Sequence, residues 1–142
     1  MPLMPVPKWL VFSFLIVSFL GFLDAGYLSA KYYLGSPVKC AILAGCETVT
    51  SSDYAVIGGV PIALIGSIYY LLVFFLTLLY LDNGNKSALF AAAIISASGF
   101  IISLGLLYIQ LAVLDAVCLY CLLSLATSTL LFINGLTLLK YK

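Results

Sequence analysis

The chain has 142 residues, of which 65% are hydrophobic and 8% are charged, and its net charge is +1. Its mean hydropathy of +1.26 excludes an ordinary soluble domain and predicts an integral membrane protein. The absence of a basic cluster argues against nucleic acid as a partner. Since the chain has no histidine, the commonest general base and metal ligand is missing.

Four apolar segments are long enough to cross a bilayer core about 30 Å thick as helices. We therefore predict an all-α, single-domain bundle over residues 1–142, with transmembrane helices at about 9–30, 61–81, 88–110 and 116–139. The first apolar run follows Lys8 but is not closed by a small-residue cleavage site, so a transmembrane helix is favoured over a signal peptide.

Asp24 lies near the far end of the first predicted helix, and Lys31 follows two turns later. A carboxylate inside a membrane is a candidate functional residue. The position near the helix end favours instead an ion pair with Lys31 at the membrane interface.

A polar stretch over residues 31–60 connects the first two helices and contains Cys40 and Cys46. Thirty residues are too many for a tight turn, and a long loop in a compact domain is usually functional. The short apolar segment Tyr54–Ile57 is predicted to form a half-helix on the bundle, ending at Gly58-Gly59. Pro61 suits the start of the second helix.

The polar turn at residues 82–87 is short and requires the second and third helices to be antiparallel. Four crossings place both termini on one side, together with Lys8, Lys86, Lys140 and Lys142. The other side has Lys31 and Lys39, offset by three carboxylates. The positive-inside rule therefore predicts cytoplasmic termini. All four cysteines then lie on the extracytoplasmic side, where disulfides form and persist.

Cys118 and Cys121 form a Cys-x-x-Cys pair at the start of the fourth helix. Thiols at this spacing share one helix face and can form a small disulfide ring. If Asp115 caps the helix, Cys118 lies in the first turn, where unpaired backbone N–H groups favour a thiolate. We therefore interpret the pair as a redox centre, with helix packing as the alternative.

Cys40 and Cys46 add a second pair on the same side of the membrane, which suggests an electron relay by thiol–disulfide exchange. Two structural disulfides are an alternative. A four-thiolate metal site is another, although a second Cys-x-x-Cys element is missing. A non-enzymatic membrane scaffold with bracing cysteines is the rival from a different functional class.

The order of these motifs resembles the vitamin K epoxide reductase family. The resemblance rests on the loop pair, Ser51-Ser52 after Cys46, the Gly-Gly-x-Pro entry to the second helix, and Cys118-Leu119-Tyr120-Cys121 opening the fourth. It covers nearly the whole chain. Other quinone-linked thiol oxidases with four helices have the two cysteine pairs in the reverse order.

The resemblance implies a membrane thiol:quinone oxidoreductase whose substrate is a lipid quinone of the menaquinone or ubiquinone type. By analogy, Cys40 exchanges with a thioredoxin-like partner, Cys46 passes electrons to Cys118, and Cys121 reacts with the quinone. Ser52 matches a family serine near the quinone pocket. Leu125, one turn beyond Cys121 on the same face, is expected in the pocket wall.

Two differences from the vertebrate enzymes of the family bear on which substrate is expected. Leu125 stands where they have a tyrosine, and Ile62 stands near the place of an asparagine; both family residues serve the vitamin K oxygens. The differences favour quinone reduction over epoxide reduction. Because this sequence stops at Lys142 without a fused thioredoxin-like domain, a separate redox partner is expected.

Overall fold

The computed structural model describes residues 7–34, 56–113 and 119–138. Within these residues the chain forms four long helices: α1 at Lys8–Leu34, α2 at Ile62–Asn83, α3 at Lys86–Tyr108 and α4 at Leu119–Leu138. Each of them is long and apolar enough to cross a membrane. The predicted four-helix membrane bundle is therefore confirmed as the fold class.

Two helix boundaries lie beyond those expected from hydropathy. α1 continues to Leu34 through Lys31, Tyr32 and Tyr33. Tyrosine and lysine are typical of the membrane interface, where a helix can continue after its apolar run has ended. The second difference is at the C-terminal end of α3, which is followed by a π-helical turn at Ile109–Val113. Hydropathy detects the apolar core of a helix and not its true ends.

The connection between α2 and α3 consists of only two residues. Gly84 adopts the left-handed conformation with φ of 65°, and its N–H donates to the carbonyl oxygen of Tyr80 at 2.7 Å. Asn85 then caps α3, since its side chain accepts a hydrogen bond from the N–H of Ser87 at 3.0 Å. This link makes α2 and α3 antiparallel neighbours, as the short polar turn predicts.

Ahead of α2, the chain forms a small hairpin in place of the half-helix expected there. Strand β1 at Val56–Ile57 pairs antiparallel with strand β2 at Val60–Pro61. Gly58 and Gly59 between them have φ of 58° and 84°. A two-residue hairpin turn of this kind requires positive φ at both central positions, which glycine adopts without steric cost. The half-helix prediction is therefore wrong at Val56 and Ile57.

The four helices form a closed ring in which α1 and α3 each pack against both α2 and α4. α1 and α3 finish at one end of the bundle, where α2 and α4 begin; we call this the cysteine end, because Cys121 lies there. Side chains such as Phe14, Val73 and Leu131 fill the core. Apolar side chains also cover the outside, with Trp9 59% and Ile94 71% exposed. An apolar exterior suits contact with lipid.

Small residues allow the helices to approach closely at three points. Gly21 of α1 lies directly against the ring of Tyr70 in α2, and Gly99 of α3 lies against the ring of Tyr69. A Cβ atom at Gly135 of α4 would meet Ser96 and Ala93 of α3 at 3.1–3.3 Å. Close approach of backbones is a main source of helix association where there is no hydrophobic effect between helices.

The contact between Gly21 and Tyr70 can be tested with a matched pair of variants in one helix. Gly21→Ala places a methyl group on the Tyr70 ring and should destabilise the bundle by about 1–3 kcal/mol. At Gly26 a Cβ atom meets open space, so Gly26→Ala should instead stabilise it by up to about 1 kcal/mol. Denaturant unfolding in detergent measures both. Equal effects of the two substitutions would contradict the packing described here.

Candidate functional site

Two of the six predicted site residues, Cys121 and Leu125, lie in the part of the chain that the structure describes. The other four lie outside the described residues: Cys40, Cys46, Ser52 and Cys118. The predicted helix cap, Asp115, also lies outside them. Among the described residues, no group of three histidine, cysteine or acidic side chains is placed to hold a metal ion.

Cys121 lies in the first turn of α4 and is half-buried. The ring of the preceding residue, Tyr120, contacts the ring of Tyr27 in α1, with centroids 5.1 Å apart. The ammonium group of Lys31 lies 5.6 Å from the centre of the Tyr27 ring, within the range of a cation–π interaction. These contacts join the start of α4 to α1 and bring a positive charge to the cysteine end.

Leu125 lies one helical turn deeper than Cys121 and is also half-buried. Residues four apart on a helix share a face, so Leu125 continues the face of α4 that carries the thiol. Its side chain offers only apolar surface. Leu125 as part of a quinone pocket wall stays a prediction.

A cluster of hydroxyl groups occupies the bundle just below Cys121. The Tyr70 hydroxyl lies 2.8–2.9 Å from the side-chain oxygens of Ser124, Thr127 and Ser128 and from the Ser124 carbonyl oxygen. Ser103 of α3 extends the cluster by donating to Ser128 at 3.2 Å. We call these five residues the hydroxyl cluster. It joins α2, α3 and α4 at one level of the bundle.

Sequence reasoning missed this cluster, because tyrosines at helical spacing in a membrane protein usually pack or lie at the membrane interface. A signal was present in α4, where Ser124, Thr127 and Ser128 follow Cys121 at helical spacing. Hydroxyl residues three and four apart share one face of a helix. The partner Tyr70 could not be identified in this way, because its contact depends on how α2 packs against α4.

Asp24 lies deeper in the bundle than its sequence position suggests. Both of its carboxylate oxygens are buried. α1 continues for ten residues beyond Asp24 to Leu34, a distance of about 15 Å along the helix axis. Asp24 therefore lies inside α1 and not at its end, and its place at the membrane interface stays a prediction. The ion pair with Lys31 stays a prediction.

The side chain of Gln110 is the third polar group of this region, and sequence reasoning treated it only as the end of the third helix. Gln110 is 3% exposed and lies in the π-helical turn that follows α3. Its amide nitrogen donates to the Leu106 carbonyl oxygen at 3.4 Å, near the upper limit for a hydrogen bond. A single glutamine within an apolar run is the signal that could have identified it.

The half-buried thiol of Cys121 thus lies on the helix that carries the hydroxyl cluster, and Asp24 and Gln110 are further buried polar groups of this apolar bundle. Buried polar groups in a membrane protein are costly and often mark functional sites. A thiol near the membrane surface can exchange with a thiol from the aqueous phase, while its apolar surroundings are accessible to a molecule dissolved in lipid. The arrangement suits two-electron thiol chemistry at the edge of a bilayer.

Comparison with known proteins shows which family this chain resembles, independently of the structure. Residues 12–136 match the vitamin K epoxide reductase family, and this region includes all four cysteines. The thiol-disulfide oxidoreductase LTO1 of Arabidopsis thaliana is 36% identical over 121 residues, covering 78% of this chain. The match spans 31% of the length of LTO1, so this chain is similar to about a third of that protein.

The structural role of the hydroxyl cluster can be tested by removing its central hydroxyl. Tyr70→Phe should lower the free energy of unfolding by about 0.6–1.7 kcal/mol, the range measured for hydrogen bonds between membrane helices. Tyr69→Phe is the comparison, since the Tyr69 hydroxyl has fewer partners, the Ser96 carbonyl oxygen at 3.4 Å and the Ser128 side chain, and its loss should cost less. Unfolding in detergent measures both. A larger loss for Tyr69→Phe would contradict the assignment.

Proposed function

Because this chain belongs to the vitamin K epoxide reductase family, we propose that it is a membrane thiol:quinone oxidoreductase. It takes two electrons from a thioredoxin-like protein and transfers them through its two cysteine pairs to a lipid quinone. The observation that carries the proposal is the position of Cys121, half-buried in the first turn of α4 at one end of an apolar four-helix bundle. The relative LTO1 is a thiol-disulfide oxidoreductase, which supports the same type of chemistry.

In the proposed reaction, Cys118 and Cys121 begin as a dithiol. Both S–H bonds break and one S–S bond forms, which releases two electrons and two protons. The quinone accepts the two electrons and the two protons, and its two carbonyl oxygens become the hydroxyl groups of the quinol. Cys121 is the thiol that meets the quinone, because it lies deeper along α4 than Cys118 would. Leu125 and Ser52 contribute to the pocket that holds the quinone ring.

Cys40 and Cys46 restore the dithiol in the next half of the cycle. A thiolate of the reduced loop pair attacks the Cys118–Cys121 disulfide, forms a mixed disulfide, and is then displaced as its own disulfide forms. Cys40 in turn exchanges with the thioredoxin-like protein, which leaves the cycle oxidised. Electrons therefore pass from protein thiol to loop pair, to helix pair and then to quinone.

The proposed orientation of the protein in the membrane is based on the distribution of its lysines. Lys8 and Lys86 lie at the end of the bundle opposite the cysteine end, and the positive-inside rule places that end in the cytoplasm. The cysteine pairs then face the extracytoplasmic side, where a thiol oxidase would drive disulfide formation in other proteins.

The proposal can be tested by quinone reduction with the purified protein in detergent, using dithiothreitol as electron donor. The parent should show turnover that depends on the dithiol, and Cys121→Ala should reduce it to background because the thiol that meets the quinone is lost. Turnover is measured by the change in quinone absorbance. A folded, lipid-supplemented parent that is inactive with several quinones would contradict the proposal and favour cysteines that only brace the bundle.

Cys40→Ala separates the two cysteine pairs. With a reduced thioredoxin as donor, this variant should lose most of its turnover, because Cys40 is the proposed entry point for protein thiols. With dithiothreitol the loss should be much smaller, since a small dithiol can reduce the helix pair directly. Equal losses with both donors would contradict this division of roles.

A further inference from the structure

Ser124 is a half-buried member of the hydroxyl cluster and lies one helical turn from Cys121 within α4. Residues three apart on a helix are neighbours, with Cβ atoms about 5–6 Å apart. The Cα–Cβ bond of a helical residue is tilted toward the N-terminus of its helix, so the Ser124 side chain leans toward the turn that carries Cys121. A molecule that contacts the Cys121 sulfur is therefore within reach of the Ser124 hydroxyl group.

The hydrogen bonds around Tyr70 show where the protons of the cluster can go. The Tyr70 hydroxyl has one proton, and four oxygens lie 2.8–2.9 Å from it. One of these, the Ser124 carbonyl oxygen, can only accept. The Thr127 hydroxyl donates within its own helix, to the carbonyl oxygens of Leu123 at 3.1 Å and Ser124 at 2.9 Å. The Ser124 carbonyl oxygen therefore has another donor when the Tyr70 proton goes elsewhere.

Two arrangements of the hydroxyl protons are compatible with these distances. In the first, Tyr70 donates to the Ser124 carbonyl oxygen, and the Ser124 hydroxyl donates to the Tyr70 oxygen. In the second, Tyr70 donates to the Ser124 hydroxyl oxygen, and the Ser124 proton is directed out of the cluster, toward an acceptor beside Cys121. The two arrangements differ only by rotation of hydroxyl groups, so no helix has to move. Ser124 can thus donate to an incoming acceptor while Tyr70 keeps a hydrogen bond.

Burial and position distinguish Ser124 from Ser128, the other serine of α4 that contacts Tyr70. Ser128 is 2% exposed and accepts a hydrogen bond from Ser103. It lies seven residues from Cys121, or about 10 Å along the helix axis. Ser124 is nearer to the thiol and only half-buried, so a molecule dissolved in the lipid can approach its hydroxyl group.

The chemistry beside Cys121 favours such a donor. Electrons that reach a quinone increase the negative charge on its carbonyl oxygens, and a hydrogen-bond donor already aimed at that charge stabilises it. The apolar side chain of Leu125, next to Ser124 in the chain, offers no donor.

We propose that Ser124 is a quinone-binding residue whose hydroxyl group, oriented by Tyr70, donates a hydrogen bond to the quinone carbonyl oxygen next to Cys121. This inference rests on the proposed function and assigns two residues to it. Tyr70 is a positioning residue, since it acts on the quinone only through Ser124. Neither residue supplies electrons or protons to the product, because both come from the cysteine dithiol.

The experiment measures quinone reduction by the full chain in detergent, with dithiothreitol as donor and a short-chain ubiquinone or menaquinone as acceptor. Ser124→Ala removes the hydroxyl group and should raise the KM for quinone about three- to tenfold, as expected for one lost hydrogen bond. The KM for dithiothreitol should not change. Ser124→Thr keeps a hydroxyl group and should have a quinone KM close to that of the parent.

Thr129→Val is the matched control. The Thr129 hydroxyl also belongs to α4, but it donates to the Leu125 carbonyl oxygen of its own helix at 2.7 Å and lies eight residues from Cys121, or about 12 Å. This variant should leave the quinone KM unchanged. The melting temperature of every variant is measured in parallel to confirm that it is folded.

A double-mutant cycle separates the positioning role of Tyr70 from its packing role. Tyr70→Phe should raise the quinone KM of the parent, because a serine hydroxyl without this partner turns to a carbonyl oxygen of its own helix. In the Ser124→Ala background, Tyr70→Phe should leave the quinone KM unchanged, since the group that it orients is already absent. A rise of equal size in both backgrounds would contradict the positioning role.

The outcomes separate this inference from the proposed function. An active parent whose quinone KM is the same in Ser124→Ala would overturn the role of Ser124 and leave the oxidoreductase intact. A rise in KM of the same size in Thr129→Val would likewise overturn it, because the effect would then not depend on distance from Cys121. A folded parent that reduces no quinone would overturn the proposed function, and this inference with it.

Discussion

The position of Tyr70 is the constraint on which the rest of the bundle depends. Its ring packs directly on the backbone of Gly21 in α1, and its hydroxyl group lies among the hydroxyl side chains of α4. One side chain of α2 thus fixes the distance between α1 and α2 and the position of α4 along the axis of the bundle. Inside a bilayer, such polar contacts cannot be exchanged for water, so a shift of α4 would leave several hydroxyl groups without partners.

The position of α4 along the bundle axis in turn determines where Cys121 lies. The thiol lies one turn above the hydroxyl cluster and next in the chain to Tyr120, whose ring contacts Tyr27. Buried polar groups occur in both halves of the bundle, with Gln110 and Ser128 in this half and Thr77 and Asn134 in the other, while large apolar side chains such as Phe14 and Leu131 fill the core between them.

Sequence patterns identify candidate site residues more readily than the packing around them. Cys121 was identified because a Cys-x-x-Cys pair is unusual in a chain with only four cysteines, and Leu125 followed from helical spacing. Tyr70 and Gln110 were missed because a tyrosine or glutamine in an apolar run does not reveal which helix it faces. The end of α1 was placed too early, because hydropathy detects the apolar run of a helix and α1 continues beyond that run to Leu34.

The sequence by itself determined the four membrane-spanning helices, the short link between α2 and α3, the two cysteine pairs and the family. Each depends on local properties: hydropathy over about 20 residues, turn-forming residues, or motif spacing. Only the tertiary structure decided that Tyr70 meets α4, that Gln110 is buried, and that Val56 and Ile57 pair with Val60 and Pro61. These depend on the rotation and register of packed elements, which are set by contacts between residues far apart in the chain.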